Sequence, residues 1–227
     1  MSEAREAIVL VEGLTEKFFV EAMLVPVLAE KGTFLTPIVI SKPGQKGGDV
    51  RFARVRNDIE LHLKQRRDTF VTLFVDYYGL RPDWPGLDEA KATSTPKQKA
   101  DAVNTATKEV VVQLYRASRA EARFIPFVAM HEFEALLFSE PQILADALGV
   151  KAPVIEKILL ECKEPENIND SPKTAPSKRI QALSAGFIKT TTGIRIARDI
   201  GLARIRERCP LFDVWLHELE HLQEIPL

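Results

Sequence analysis

Three acidic positions stand directly after apolar, β-forming runs: Glu12 after Ala7–Val11, Asp76 after Thr69–Val75, and Glu132 after Phe124–Met130 with His131 between. In an open parallel α/β sheet, ligands gather beyond the carboxyl ends of the strands. Neighbouring strands lie about 4.8 Å apart, so carboxylates leaving adjacent strands can converge on one hard cation. Mg2+ (or Mn2+) favours such oxygen donors, and a site of this kind suits phosphoryl transfer, with the ion neutralising charge and activating water. Glu16 lies one helical turn after Glu12 and shares its face. Glu132 and Glu134 are two residues apart on an expected helix and so point in different directions, and one of them is expected to face the ion. His131 reads equally as an orienting residue or a ligand.

Phosphate-binding groups are also in view. The segment Lys42-Pro43-Gly44-Gln45-Lys46-Gly47-Gly48 joins glycines, which admit close backbone approach to phosphate, with the charges of Lys42 and Lys46. It lacks the Walker A spacing. Arg51 and Arg54 follow it, and Lys178 with Arg179 and Arg195 with Arg198 form further basic groups. Other chemistries lack their motifs: there is no G-x-S-x-G, H-E-x-x-H or G-x-G-x-x-G. His217 and His221 have the i,i+4 spacing of a helical metal pair and read as a surface pair. Cys162 and Cys209 suit neither a disulfide framework nor a zinc site, and read as small buried or half-buried apolar residues.

The elements that must position these residues follow from hydropathy. Strands are expected at Ala7–Val11, Leu35–Ile40, Thr69–Val75 and Phe124–Met130. Helical periodicity runs through Thr15–Lys31, Val50–Arg67 and Lys97–Ser118. This alternation predicts right-handed βαβ units and a mostly parallel, Rossmann-like sheet of four strands flanked by helices. After about residue 132 only short helices are expected, which divides the chain into an α/β part (1–138) and a helical part (139–227) packed on it. The chain of 227 residues is 45% apolar and 28% charged with a net charge of −1, which excludes a disordered chain and a globally basic one. No apolar run approaches a membrane span, and the opening residues lack the pattern of an export signal, so a cytoplasmic protein is expected.

Val11-Glu12-Gly13-Leu14-Thr15-Glu16-Lys17-Phe18-Phe19-Val20 resembles the opening motif of Toprim domains, the fold shared by topoisomerases, primases and the OLD-type (overcoming lysogenization defect) nucleases. Phe74-Val75-Asp76-Tyr77-Tyr78-Gly79-Leu80 and His131-Glu132-Phe133-Glu134-Ala135-Leu136-Leu137-Phe138 are similar to a narrower bacterial family of unknown function described as Toprim-like. Thr174–Ile180, Ile200–Leu202 and Cys209–Phe212 fit it too. The resemblance implies that Glu12 acts as acid/base or metal ligand and that Asp76 holds Mg2+ as the first residue of a D-x-D pair. Tyr78 stands where the second aspartate would be, so Glu16, Glu132 or Glu134 must supply a further carboxylate. A late basic residue, Lys189 or Lys178, is implied as well. The resemblance suggests a Mg2+-dependent nuclease on DNA or RNA in bacterial antiviral defence, with an ABC/SMC-type ATPase as partner. The alternatives are a Toprim scaffold without catalysis that binds nucleic acid or the ATPase, and a hydrolase of nucleotide-sized substrates.

Overall fold

The computed structural model describes residues 4–40, 50–169, 171 and 173–226. Lys42 and Lys46 lie outside the described residues. Five strands form the sheet: β1 (Arg5–Val11), β2 (Thr33–Val39), β3 (Thr69–Asp76), β4 (Phe124–Ile125) and β5 (Val128–Ala129). All pairings are parallel, in the order β2-β1-β3-β4, with β5 also on β3. β3, TFVTLFVD, is buried along nearly its whole length, as a central strand covered on both faces must be. β2 alternates buried and exposed positions at its start and carries Pro37, which an edge strand tolerates because its outer N–H groups have no ladder partner.

The single strand expected over Phe124–Met130 is two short strands. Pro126 lies between them and has no N–H to donate, so the ladder stops and resumes at Val128. The sheet therefore has five strands, one more than the hydropathy pattern predicts. The expected helix over residues 132–138 is a 3₁₀ segment, Phe133–Ser139.

The helices of the first part are α1 (Leu14–Phe19), α2 (Val25–Glu30), α3 (Phe52–Gln65), α4 (Leu87–Lys91), α5 (Pro96–Tyr115) and α6 (Ala120–Arg123). A wide π-type turn, Val20–Leu24, joins α1 to α2. α5 begins at a reciprocal cap between Thr95 and Gln98, with Pro96 in its first turn. The second part holds α7 (Pro141–Leu148), α8 (Ala152–Cys162), α9 (Pro176–Leu183), α10 (Ile194–Ile200), α11 (Leu202–Arg208) and α12 (Pro210–Glu220). A second π-type turn, Lys189–Gly193, precedes α10. α4, α6 and α11 are short helices that the hydrophobic period does not single out. Among the described residues, no helix is long and apolar enough to cross a membrane.

One hydrophobic cluster joins the sheet to the C-terminal helices, running from Val9 and Phe19 through Phe74 and Phe127 to Phe212 and Trp215. Trp215 stacks on Phe127 with centroids 4.5 Å apart, and its Nε1 donates to Thr72 Oγ1 on β3 at 2.8 Å. Phe19 meets Phe133 edge-on at 5.0 Å, which fixes α1 against the segment bearing Glu132 and Glu134. Cys209 is buried and Cys162 half-buried, and both are free thiols. Trp215→Ala should cost about 3–5 kcal/mol by opening this cluster and stranding Thr72. A urea melt followed by circular dichroism measures the loss.

Candidate functional site

The strand order reverses between β1 and β3: the chain goes from β1 to β2 on one side, then to β3 on the other. The crevice beyond such a switch point is where this architecture holds ligands. Glu12 follows the last residue of β1, and Asp76 is the last residue of β3. Both line a cavity of about 520 Å³, together with Tyr78, Gly79, Arg81, Glu132 and Lys189.

Each acid is held by its own support. Asp76 Oδ1 accepts the Phe133 backbone N–H at 2.9 Å, which ties β3 to the 3₁₀ segment. Glu16 is buried, and its Oε2 accepts the Gly13 N–H at 2.9 Å, so the carboxyl folds back toward the Glu12 turn. Glu132 accepts the Ser177 N–H at 2.9 Å and the Ser177 hydroxyl at 3.0 Å, both from the start of α9. Glu134 is fully buried and pairs with Lys189 Nζ at 2.6 Å. Its other oxygen, Oε2, is buried without a hydrogen-bond partner among the described residues. His131 is buried behind the cavity, with its Nδ1 2.7 Å from the Ile168 carbonyl and its ring edge-on to Tyr77 at 5.6 Å.

Gly79 shows how closely Glu12 is fitted. A Cβ there would lie 2.8 Å from Glu12 Oε2. Glu12 therefore reaches from β1 across to the turn after β3 and occupies space that only glycine leaves open.

The electrostatics follow from this crowding. Burial lifts Asp76 well above the ordinary carboxylate range, and Glu16, Glu12 and Glu134 push it further. Burial also raises Glu16, with the Glu12 charge adding to it, and it raises Glu134 against the opposing pull of Lys189. Burial opposes the charge on Lys189, but Glu134, Asp76 and Glu132 outweigh it and the ammonium is held more firmly than usual. The cluster thus sets the carboxyls of Glu12, Glu16, Asp76 and Glu134 around the single ammonium of Lys189, which is partly exposed. A hard divalent cation fits that donor set and the orphaned Glu134 oxygen. Glu12 and Asp76 are placed to hold it at the cavity wall, with Glu16 and Glu134 behind them.

The structure separates the two basic candidates. Lys189 lines the cavity, whereas Lys178 points outward from α9. Arg179 donates to the Thr174 carbonyl at 2.9 Å and is likewise absent from the cavity wall. Arg51 and Arg54 sit at the start of α3, beside the Val50–Leu80 bridge, without lining the cavity. Arg81 is an addition that the sequence motifs did not include, and Gly79 lies within the Phe74–Leu80 motif without a role assigned to it there. Their signal was proximity to Asp76 in a turn rather than residue type.

His217, Glu220 and His221 are, among the described residues, the three candidate metal ligands whose atoms lie within 4.8 Å of one another. They stand at the end of α12, where Glu220 is paired with Lys31 and Arg206. No three of the carboxylates at the strand ends bring ligand atoms this close among the described residues.

A family described as a domain of unknown function (DUF4276) matches residues 11–220. The chain belongs to this family. The match takes in every acidic residue of the cavity and nearly all of the C-terminal helices. No curated protein and no solved structure matches the chain.

Two outcomes follow for this DUF4276 protein. Gly79→Ala should fold with a loss below about 1 kcal/mol, because the clash is with a movable carboxylate. It should nevertheless show a much smaller rise in melting temperature on adding Mg2+ or Mn2+ than the wild type. The second concerns pH. A carboxyl whose pKa is raised by folding stabilises fully below its unfolded pKa, and that contribution is lost as pH rises through the folded value. Metal-free wild type should therefore lose stability from the ordinary carboxylate range toward neutrality. In EDTA, Asp76→Asn should have the higher melting temperature at pH 8, and its advantage should shrink by pH 5.

Proposed function

We propose that this protein is a Mg2+- or Mn2+-dependent phosphodiesterase acting on DNA or RNA, with a Toprim-like site. The observation that supports this most is the meeting of Glu12 and Asp76 at the β1/β3 switch point, in one cavity with Lys189 and Arg81. Phosphoryl transfer needs negative ligands for a cation and positive groups for the non-bridging oxygens, and the cavity wall carries both.

A bound divalent ion would supply charge neutralisation and an activated water. The remaining roles fall to the chain. Glu12 and Asp76 hold the ion. Phe133 N–H and Gly79 set the directions of Asp76 and Glu12. Lys189, anchored by Glu134, and Arg81 line the same cavity and would meet the phosphate there. Ser177 fixes the buried Glu132 in the cavity lining, where it can accept a proton from water or orient it. Tyr78 is half-exposed in the cavity at the second D-x-D position, so Glu16 and Glu134 provide the extra carboxylate charge. A role in bacterial antiviral defence beside an ABC/SMC-type ATPase rests on the Toprim resemblance alone.

Labelled single- and double-stranded DNA and a tRNA pool, incubated with Mg2+, Mn2+ or EDTA, test the reading. Metal-dependent cutting is expected, falling at least about 10³-fold in both Glu12→Ala and Asp76→Ala. Cutting that survives both substitutions would overturn the site. Absence of cutting on every polymer would favour the scaffold reading, in which the same site binds without catalysis.

A further inference from the structure

Beside the acidic cavity lies a second recess of about 370 Å³, formed where α1 and the π-type turn Val20–Leu24 face the turn Lys189–Gly193 and α10. The turn Lys189–Gly193 runs from one recess to the other. Lys189 lines the first, and the next residues, Thr190 and Thr191, line the second. Glu16 belongs to the acid cluster, and Phe18, two residues on, is 37% exposed in the recess.

The recess gathers two guanidiniums and two hydroxyls in one place. Arg195 and Arg198 lie one turn apart on α10 and both line it. Neither guanidinium has a hydrogen bond or ion pair with a described residue, whereas Arg66, Arg204 and Arg206 are paired with carboxylates and Arg123 is spent on backbone carbonyls. The hydroxyls of Thr190 and Thr191 are equally uncommitted. The carboxylate in the recess, Glu21, is itself within 3.7 Å of Lys17. Both turns that frame it are of the wide π type, a backbone form concentrated at functional sites.

Two unpaired guanidiniums and two hydroxyls beside an exposed aromatic ring match one ligand chemistry. A phosphodiester takes the guanidinium forks and hydroxyl donors, and an unpaired base takes the ring face. Resting on the phosphodiesterase reading above, we propose that this recess binds the nucleotide adjoining the scissile phosphate of a single-stranded polynucleotide. Arg195 and Arg198 grip its phosphate, and Phe18 stacks on its base. A duplex keeps its base faces closed and would leave Phe18 idle, so the substrate is a single strand or an unpaired loop.

The test uses the full chain and fluorescence anisotropy with a fluorescein-labelled 12-nucleotide single strand and a hairpin duplex of equal charge closed by a non-nucleotide linker, so that it offers no unpaired base, in Ca2+ and in EDTA. Arg195→Ala/Arg198→Ala should raise the single-strand Kd about tenfold or more, and should lower the slope of log K against log salt by about 0.7 per phosphate released. Phe18→Ala should weaken single-strand binding about tenfold while leaving the hairpin unchanged. Both sites are on the surface, and an unaltered melting temperature verifies folding. Equal single-strand affinity in wild type and the double arginine variant, or no measurable affinity in wild type, overturns the proposal. Equal losses on strand and hairpin overturn the single-strand assignment. Because the readout is binding, it separates from the catalytic claim. Arginine-dependent binding without cleavage sinks the phosphodiesterase reading alone, and cleavage without arginine dependence sinks this subsite alone.

Discussion

Repulsion among carboxylates that the fold forces together governs the architecture around β1 and β3. Glu12 and Asp76 leave neighbouring parallel strands, and Glu16 and Glu134 are buried behind them. Left to themselves, such groups would move apart or take up protons. They are kept in place by particular contacts: the Phe133 N–H on Asp76, the Gly13 N–H on Glu16, the Lys189 ammonium on Glu134, and the space that Gly79 leaves for Glu12. None of these contacts neutralises the group as a whole. The site is therefore strained electrostatically in a manner that a divalent ion would relieve.

The C-terminal helices are the reason this arrangement is rigid. α9 supplies the Ser177 donors to Glu132, and the turn before α10 supplies Lys189. α12 anchors the assembly through Trp215, which is stacked on Phe127 and bonded to Thr72. Buried Glu166 does for α12 what Glu132 does for α9, accepting the N–H groups of Leu211 and Phe212 at 2.9 and 3.0 Å, and burial pushes its carboxyl up to about 7. Acidic residues thus serve two ends here. Some cap helices that carry site residues, and others face the cavity.

Much of this was legible in the sequence because hydropathy reports burial directly. The all-apolar run before Asp76 announces a central strand, and the acidic residue at its end marks the carboxyl edge of the sheet, where the cavity lies. The break at Pro126 was legible in principle, since proline cannot continue a ladder, but the surrounding apolar residues masked it. The choice of Lys189 over Lys178 was not legible, because it depends on which face of a short helix or turn meets the cavity. The contact of Gly79 with Glu12 and the place of Arg81 in the cavity were hidden for the same reason: a turn without periodicity does not reveal what its residues touch. The division into residues 1–138 and 139–227 is crossed by a hydrophobic cluster that takes side chains from both sides.

The central claim is that Glu12 and Asp76 jointly hold a divalent cation. Anomalous diffraction from crystals soaked in Mn2+ tests it most directly. The account predicts a manganese peak between the ends of β1 and β3, within coordination distance of both carboxylates. A peak confined to His217 and His221, or none at the strand ends, would contradict it.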